Sequence, residues 1–399
     1  MELLIKNANI VDWSQNFKGD IYIKDGIISE MGINIERECE TVDAEGYTLM
    51  PAFTDMHVHF REPGFEYKED IETGSRAAVR GGFTTVNLMG NTNPVCSSME
   101  TVDYVLKRGE EVGLIDIHQC ITITENFDGK TLSHLDNIDT EKVKIITDDG
   151  KGVINSKTML DAMIKAEEMG LIVGVHAEDM EITPYSYRIS ENIETIRDIE
   201  LAKATGARLH LEHVSTKEAM EYIVEAKMKG FENITCEVAP HHIYFSSDEE
   251  NYRVNPPIRE KDDVEYLLSA IEDGFVDMIA TDHAPHSKED KEKGAPGMVG
   301  IETAFNVAYT KLVLERGISL NHLSEMMSKN PAELLGINKG EIKPGTEADL
   351  VLADLDKEIT VDSSEFASKG KNTPFEGHKF YGEILKTYKA GKLVYSKGE

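Results

Sequence analysis

The sequence predicts an α/β protein: a (β/α)8 barrel of the TIM type, with a small β-sandwich domain formed by both termini. Eight short apolar or β-branched runs alternate with amphipathic helical patterns over about 240 central residues, and eight such units close a barrel. The two ends carry strand-like runs without helices between them. We therefore expect the barrel to span residues 51–339, and a composite β domain to comprise residues 1–50 and 340–399.

Each run that predicts a barrel strand is followed by a longer segment, and several of these segments have helical periodicity. In residues 156–170, Met159, Met163 and Ala166 recur at spacings of three to four residues. Gly170 then supplies a helix stop. Further helices of this kind are predicted at residues 217–230 and 262–274. The predicted barrel strands are residues 49–59, 83–89, 116–124, 144–149, 172–178, 208–215, 234–242 and 277–285.

The ends of the chain differ from the middle because Gly and Asp turns, not helices, join their strand-like runs. A Pro344-Gly345 turn precedes the C-terminal runs. The simplest account is one small β domain with the barrel inserted into it. Its predicted strands are residues 2–10, 19–31 and 40–49 from the N-terminal end, and residues 348–355, 358–361 and 385–394 from the C-terminal end.

Composition excludes several classes of protein. The chain has 399 residues, and its 73 Asp and Glu against 42 Lys and Arg give a formal charge of −31. This charge argues against nucleic acid or an anionic membrane as a partner. The four cysteines are far apart, no secretory segment precedes them, and no apolar run approaches the roughly 18 residues of a membrane span. We therefore expect a cytoplasmic protein that does not bind membranes.

A His-x-His pair ends the first predicted barrel strand. The period of two in an extended chain places His57 and His59 on one face. Asp55 and Arg61 share that face. Barrel active sites are built at the C-terminal ends of the strands, and two adjacent imidazoles suit a metal ion.

Later strands end in the same kinds of side chain. With the first histidine pair, they supply four imidazoles and two carboxylates, more than one tetrahedral Zn²⁺ can use. The sequence therefore predicts a bridged pair of divalent ions. The later candidates are one carboxylate of the pair Asp148-Asp149 after the fourth strand, His176 in the fifth, His213 in the sixth and Asp282 in the eighth.

Two side chains of the fourth strand are candidates for the bridge: Asp149, and Lys144 if it were carboxylated. These two residues are five apart, so in a regular strand they point to opposite faces, and Lys144 shares its face with Asp148. Parity favours Asp149, although a bulge at the strand end would reverse the choice.

The run 280–286 offers a carboxylate that could both bind a metal and move a proton. The metals would lower the pKa of a bridging water toward about 7, so that hydroxide becomes available near neutral pH. Asp282 could take its proton as it attacks a carbonyl, so Asp282 is the predicted general acid and base. By parity His283 faces away, as a buried structural histidine, whereas His286 lies in the loop, where it can contact a substrate.

These motifs resemble those of the metal-dependent amidohydrolases, and within them the dihydroorotase family of the longer bacterial and archaeal type. Residues 55–64 are similar to the first signature of that family, and residues 280–286 to the second. The resemblance covers nearly the whole chain. Residues 343–350 resemble a run shared more broadly by amidohydrolases. Other similar motifs are residues 81–86, 91–94, 213–216 and 255–259.

The resemblance implies reversible cyclisation of N-carbamoyl-L-aspartate to L-dihydroorotate, with loss of water, in pyrimidine (UMP) synthesis. The implied zinc ligands are His57, His59 and Asp282 for one ion, His176 and His213 for the other, and Asp149 as the bridge. The implied substrate contacts are Arg61, Asn91 and His286 as a carboxylate clamp, Asn255 and the backbone of Pro296 and Gly297 at the ring, and His59. We also expect a homodimer, with aspartate transcarbamoylase as a candidate partner.

Three features depart from the family pattern. Gly90 stands where a proline usually precedes the Asn91 motif, and the segment between His176 and His213 is shorter than usual. The stretch 294–297 lacks a phenylalanine after its proline. These departures concern the shape of the substrate loops. Residues 294–300 could form a mobile lid or an ordinary surface turn.

Two alternatives stay open. Allantoinase, dihydropyrimidinase and hydantoinase share the barrel and the paired histidines, but their rings need no carboxylate clamp. Arg61, Asn91 and His286 together favour a ring that bears a carboxylate. The other alternative is an inactive scaffold for aspartate transcarbamoylase. Such scaffolds typically lose metal ligands, whereas all six are present here.

Overall fold

Strands from both ends of the chain form one sheet, and eight central strands form a barrel. The computed structural model describes residues 1–398. In chain order the strands are β1 Glu2–Asp12, β2 Gln15–Lys24, β3 Ile27–Gly32, β4 Glu40–Asp43, β5 Thr48–Pro51, β6 Phe53–Val58, β7 Phe83–Leu88, β8 Asp116–Gln119, β9 Ile145–Thr147, β10 Ile172–Val175, β11 Arg208–Leu211, β12 Ile234–Val238, β13 Met278–Ile279, β14 Leu350–Thr360, β15 Lys379–Lys389 and β16 Lys392–Ser396.

Helices separate most of the barrel strands. The α-helices are α1 Ile71–Arg80, α2 Met99–Val112, α3 Ser156–Met169, α4 Tyr187–Thr205, α5 Lys217–Met228, α6 Pro240–Tyr244, α7 Lys261–Glu272, α8 Lys288–Glu292, α9 Ala304–Ala308, α10 Leu320–Ser324 and α11 Asn330–Leu335. Two π-helical segments, Tyr309–Glu315 and Glu325–Lys329, continue α9 and join α10 to α11. Short 3-10 turns lie at Glu125–Phe127, Ser133–Asn137 and Ser363–Glu365.

The barrel consists of β6 to β13, one strand for each of the eight predicted runs. Every pair within it is parallel. Single bridges between Ile121 and Ile146, and between Val58 and His283, complete the ring. Parallel strands covered by helices are buried on both faces, and this explains their continuous apolar runs. The predicted fold class is confirmed.

The helix α3 shows how local sequence sets an element. Its buried face includes Met159, Met163 and Ala166, the three residues that predicted it. The Asn155 side chain caps its N-terminus by accepting hydrogen bonds from two backbone N–H groups, at 2.9 and 3.0 Å. Gly170 ends it with a φ of 71°, a left-handed conformation that glycine adopts without steric cost.

The termini form an eight-stranded, mostly antiparallel sheet in which β14 pairs with β5 and β5 pairs with β1. Three predicted runs are each divided in the structure, and one of them, residues 385–394, is shared between the antiparallel strands β15 and β16. Residues 19–31 form the hairpin β2–β3, which turns at Asp25 and Gly26 with positive φ values of 51° and 82°. Residues 40–49 contribute β4 and part of β5, and both of these pair in parallel with β1.

The largest apolar core lies between the barrel strands and their helices, and a second core lies within the terminal sheet. Phe53 stacks on Phe305, with ring centroids 5.0 Å apart, and both rings are fully buried. In residues 1–398, each helix is either too short or too polar to span a bilayer. The packed core of the barrel therefore provides a rigid scaffold for the side chains at the ends of its strands.

Candidate metal centre and substrate cavity

The six predicted metal ligands meet at the C-terminal mouth of the barrel. One lies in β6, and the others lie just beyond the ends of β6, β9, β10, β11 and β13. All six are buried. Functional groups of barrel enzymes are held at these strand ends. The six are His57, His59, Asp149, His176, His213 and Asp282.

Asp149 lies at the centre of this cluster. Its Oδ1 is 3.4 Å from His57 Nε2, 3.3 Å from His176 Nδ1 and 3.6 Å from His213 Nε2. Its Oδ2 is 3.5 Å from His59 Nε2. One carboxylate therefore faces four imidazoles, as a ligand between two metal ions would.

Asp282 faces the two histidines of the first barrel strand. Its Oδ1 is 3.1 Å from His59 Nε2 and 3.7 Å from His57 Nε2. Ligand atoms of these three residues lie within 4.8 Å of one another. A second group with the same property comprises His57, Asp149, Glu212 and His213.

The charged forms in this cluster stabilise one another. Burial lowers the pKa of His57, but the carboxylates of Asp149 and Glu237 raise it well above its usual value. Burial raises the pKa of Asp149, but His57, His176 and His213 hold it well below its usual value. The surroundings of Asp149 therefore favour its anionic form, which is the form that binds a metal ion.

The donor set fits a metal ion. His176 Nδ1 and His213 Nε2 face each other at 2.9 Å, both close to Asp149 Oδ1. His57 Nε2 is buried and has no hydrogen-bond partner in residues 1–398. Buried imidazole nitrogens directed at a shared carboxylate are typical of a divalent cation site.

Three residues of the site have a left-handed backbone that non-glycine residues seldom adopt. They are Arg61, His213 and Asp282, with φ values of 62°, 32° and 46°. Such conformations persist where the surrounding structure fixes them, and they concentrate at functional sites.

Sequence reasoning missed two carboxylates that orient the histidines. Glu237, in β12, accepts a hydrogen bond from His57 Nδ1 at 2.9 Å, and it also contacts His210 at 3.0 Å. These imidazoles overcome the effect of burial and lower the pKa of Glu237 to about 2. The available signal was a single charged residue inside an apolar strand.

The second missed carboxylate is Glu178, two residues after His176. Its Oε2 lies 2.9 Å from His176 Nε2 and accepts a hydrogen bond from Asn255 Nδ2, also at 2.9 Å. It therefore links a predicted metal ligand to a predicted substrate contact. Carboxylates that bind the second nitrogen of a ligating histidine fix its tautomer and ring orientation.

Several side chains near the site face elsewhere. Lys144 Nζ donates to the Thr140 carbonyl at 2.8 Å, so it does not enter the mouth. Asp148 accepts a hydrogen bond from the Thr124 backbone N–H at 3.0 Å. His283 is fully buried, and its Nε2 lies 3.5 Å from Glu69.

Asp55 also lies outside the mouth, although the strand period predicts that it shares the face of His57. Its carboxylate accepts hydrogen bonds from the Thr281 backbone N–H at 3.0 Å and from its hydroxyl at 2.6 Å. Asp55 therefore ties the first barrel strand to the segment after the last one.

A cavity of about 220 Å³ opens above the cluster. All seven predicted substrate contacts line it, together with three of the other predicted ligands. His57 and His213 are not part of its lining. The seven contacts are His59, Arg61, Asn91, Asn255, His286, Pro296 and Gly297, and the three ligands are Asp149, His176 and Asp282.

Arg61 is the cationic group of this cavity. Its Nη2 lies 3.4 Å from His286 Nε2, its Nε is buried without a hydrogen-bond partner, and no carboxylate of residues 1–398 forms an ion pair with it. Burial, Arg61 and Lys68 lower the pKa of His286 to about 3, so this imidazole is neutral. Arg61 therefore offers positive charge to a ligand of the cavity.

Asn91 connects the cavity to the cluster. Its Oδ1 lies 2.9 Å from His59 Nδ1, and its Nδ2 donates to Asp149 Oδ2 at 3.3 Å. The amide therefore contacts both a predicted ligand and the central carboxylate.

Comparisons with known proteins agree with this geometry. Residues 48–394 match the family described as the amidohydrolase family. The chain is 59% identical over 399 residues to the dihydroorotase of Clostridium botulinum (strain Eklund 17B / Type B), with 100% of both chains covered. It is 39% identical to the dihydroorotase of Lactobacillus acidophilus, again with 100% of both covered.

Solved structures give the same fold. The L-hydantoinase (dihydropyrimidinase) of Arthrobacter aurescens superposes with a TM-score of 0.91 at 26% identity, covering 100% of this chain and 96% of that one. The dihydropyrimidinase of Brevibacillus agri NCHU1002 superposes with a TM-score of 0.89 at 25% identity, with the same coverage. The chain thus resembles dihydroorotases in sequence, and hydantoinases and dihydropyrimidinases in structure.

Proposed function

The chain belongs to the amidohydrolase family, and from that premise we propose that it is a dihydroorotase. It interconverts N-carbamoyl-L-aspartate and L-dihydroorotate plus water in pyrimidine synthesis. The observation that carries this assignment is Arg61, a cation that lines the cavity above the histidine cluster and has no carboxylate partner in residues 1–398. Arginine binds carboxylates through two parallel hydrogen bonds. A neutral hydantoin or dihydropyrimidine ring would leave Arg61 unpaired, whereas dihydroorotate carries a carboxylate.

We propose two Zn²⁺ ions per subunit. His57, His59 and Asp282 would hold one, His176 and His213 the other, and Asp149 would lie between them. When bound, such ions polarise the amide carbonyl and supply an activated water. Glu237 and Glu178 support the set by fixing the rings of His57 and His176.

The protein's own groups then bind the substrate and move protons. Arg61, with Asn91 and His286, holds the ring carboxylate, and Asn255 with the Pro296–Gly297 backbone contacts the ring. Asp282 is the general base for hydrolysis of the ring and the general acid in the reverse direction. Burial raises its pKa, but His59 and His57 reverse this effect and hold the pKa below its usual value, so the group is an anion before the proton transfer.

A turnover assay with metal-reconstituted protein tests the assignment. We expect turnover of dihydroorotate that a chelator abolishes and that added Zn²⁺ restores. Allantoin, dihydrouracil and hydantoin, tested in parallel, should give no turnover because they lack the carboxylate that pairs with Arg61. Turnover of a carboxylate-free ring would reassign the substrate. Metal binding without turnover of any ring would favour an inactive scaffold.

The proposed homodimer has a candidate contact surface on α4 and the preceding loop. Every exposed residue between positions 184 and 199 is apolar. These residues are Pro184, Tyr185, Tyr187, Ile189, Ile193 and Ile196, which we call the α4 face. A second copy also carries a charge of −31, so two copies can approach most easily where neither presents carboxylates. A two-fold axis would place this face against itself.

Replacing Ile193 by Glu tests this surface. Wild-type protein should have twice the 44.5 kDa mass of the chain by light scattering, and Ile193→Glu should have the mass of the monomer. The matched control is Ile33→Glu, at an exposed isoleucine outside the α4 face, which should remain a dimer. Monomeric wild-type protein would contradict the proposal.

We further propose that the protein is cytoplasmic and that it associates with aspartate transcarbamoylase. We also propose that the chain has two domains, a barrel of residues 51–339 and a composite β domain of residues 1–50 and 340–399.

A further inference from the structure

A second cavity, of about 800 Å³, lies beside the substrate cavity. His286 lines both of them. Its size is within the range of sites for small organic molecules. We call it the cationic cavity, and its lining residues are Tyr252, Arg253, His286, Ser287, Lys288, Lys291, Glu292, Lys369, Lys371 and Asn372.

Charge distinguishes this cavity from the rest of the chain. Five lysines and arginines line it against one carboxylate, a local excess of four positive charges in a chain of net charge −31. The segments that supply these cations are far apart in the sequence, at residue 253, residues 288–291 and residues 369–371. The fold therefore gathers positive charge at one place that no local run of basic residues predicts.

Four of the five cations have no carboxylate partner in residues 1–398. The side chains of Arg253 and Lys288 form no ion pair or hydrogen bond there. Lys371 donates only to backbone carbonyls, including that of Ser368 at 2.8 Å. Lys369 is the exception, because it pairs with Asp70.

The fourth cation without a carboxylate, Lys291, donates to three backbone carbonyls. They are those of Arg253 at 3.0 Å, Ala295 at 2.9 Å and Gly297 at 2.9 Å. Gly297 lines the substrate cavity, so Lys291 fixes the wall between the two cavities. Asn372 supports the same wall, since it donates to the Gly297 carbonyl at 3.1 Å and accepts from the His286 backbone N–H at 3.0 Å.

Positive charge continues from this cavity to the substrate clamp. Lys68 Nζ lies 3.4 Å from one nitrogen of His286, and Arg61 Nη2 lies 3.4 Å from the other. Lys68 is balanced by Asp290, which lies 3.4 Å away, whereas Arg61 has no carboxylate partner in residues 1–398. The cations of the cationic cavity therefore lead to Arg61, with the neutral His286 ring between Lys68 and Arg61. A small anion in the cationic cavity would lie next to Arg61, the cation proposed to hold the substrate carboxylate.

We propose that the cationic cavity binds small dianions and collects the dicarboxylate N-carbamoyl-L-aspartate at the mouth of the active site. The inference rests on the proposed function, because it takes the substrate from it. A dianion approaching a protein of charge −31 is repelled over most of the surface. An unneutralised patch beside the mouth reverses this field locally and raises the local substrate concentration.

The double variant Arg253→Gln/Lys288→Gln tests the proposal. Both side chains are exposed, so the fold should be retained. At low ionic strength we expect kcat/KM for N-carbamoyl-L-aspartate to fall about fivefold with kcat unchanged, because such charges act before the chemical step. The dependence of kcat/KM on salt should become flatter in the variant, since part of the attraction that salt screens has been removed.

The matched control is Lys18→Gln/Lys392→Gln, which removes the same charge from two exposed lysines of β2 and β16. It should retain the wild-type kcat/KM and its salt dependence. Sulfate, a dianion that is not a substrate, should bind the wild type and the control in calorimetry at low salt, and the Arg253→Gln/Lys288→Gln variant several-fold more weakly. Equal kinetics and equal sulfate binding in the two double variants would overturn the proposal. A wild type that does not turn over dihydroorotate would instead refute the proposed function, and sulfate binding would still decide whether the cavity selects dianions.

Discussion

Asp282→Asn should lower kcat for dihydroorotate by about 10³-fold, within the range that a positioned acid or base contributes. An amide cannot accept the proton that the carboxylate takes. The change is close to isosteric, and the amide side chain could still hydrogen-bond to His59, which lies 3.1 Å from the native carboxylate. The measurement is steady-state turnover in both directions, with metal content determined on the same sample.

Metal content separates the two roles proposed for Asp282. A variant that retains its ions but loses turnover has lost proton transfer, whereas a variant that loses one ion has lost a ligand. The matched control is Asp277→Asn, five residues earlier, where the carboxylate pairs with Lys227 outside the mouth. That variant should keep its activity. An Asp282→Asn enzyme with more than about a tenth of wild-type kcat would contradict the assignment of Asp282 as general base.

The barrel could be predicted because its strands are buried on both faces and its helices are amphipathic. Strand lengths were less predictable. The run 116–124 keeps β-branched residues to its end, but β8 stops at Gln119, and beyond it Ile121 makes a single bridge to Ile146. In the run 19–31, the Asp25-Gly26 pair is a turn signal inside an otherwise strand-like pattern, and the chain reverses there.

The positions of the candidate ligands followed from strand ends and parity, because the side-chain period of a strand is fixed. The contacts that a side chain makes with residues of distant strands cannot be predicted from this period. Glu237 contacts His57 across 180 residues of sequence, and Asp55, which shares the period of His57, is directed to Thr281 instead. The cationic cavity is the extreme case, since three separate segments build it and none of them is notably basic.

Arg61→Ala should lower kcat/KM for dihydroorotate by about 10² to 10³-fold, mainly through KM. Truncating one partner of a buried charge pair costs about 2–5 kcal/mol, and each 1.4 kcal/mol is a factor of ten. Arg61 has the position for such a pair, because it lines the substrate cavity and its buried Nε has no partner within residues 1–398. The matched control is Arg76→Ala, which removes an exposed arginine paired with Glu72 on α1 and should leave kcat/KM unchanged.

Arg61→Lys then distinguishes charge from geometry. Lysine keeps the positive charge but lacks the planar fork that binds both carboxylate oxygens, so its kcat/KM should lie between those of the wild type and Arg61→Ala. The Arg61 variants also test whether the chain acts like the dihydroorotases or like the hydantoinases and dihydropyrimidinases. If Arg61 selects a ring carboxylate, the Arg61→Ala enzyme should lose its preference for dihydroorotate over dihydrouracil, because the cavity would then bind both rings without a charge pair. Unchanged turnover of dihydroorotate by Arg61→Ala would refute the clamp, and it would remove the argument that separates this chain from enzymes acting on uncharged rings.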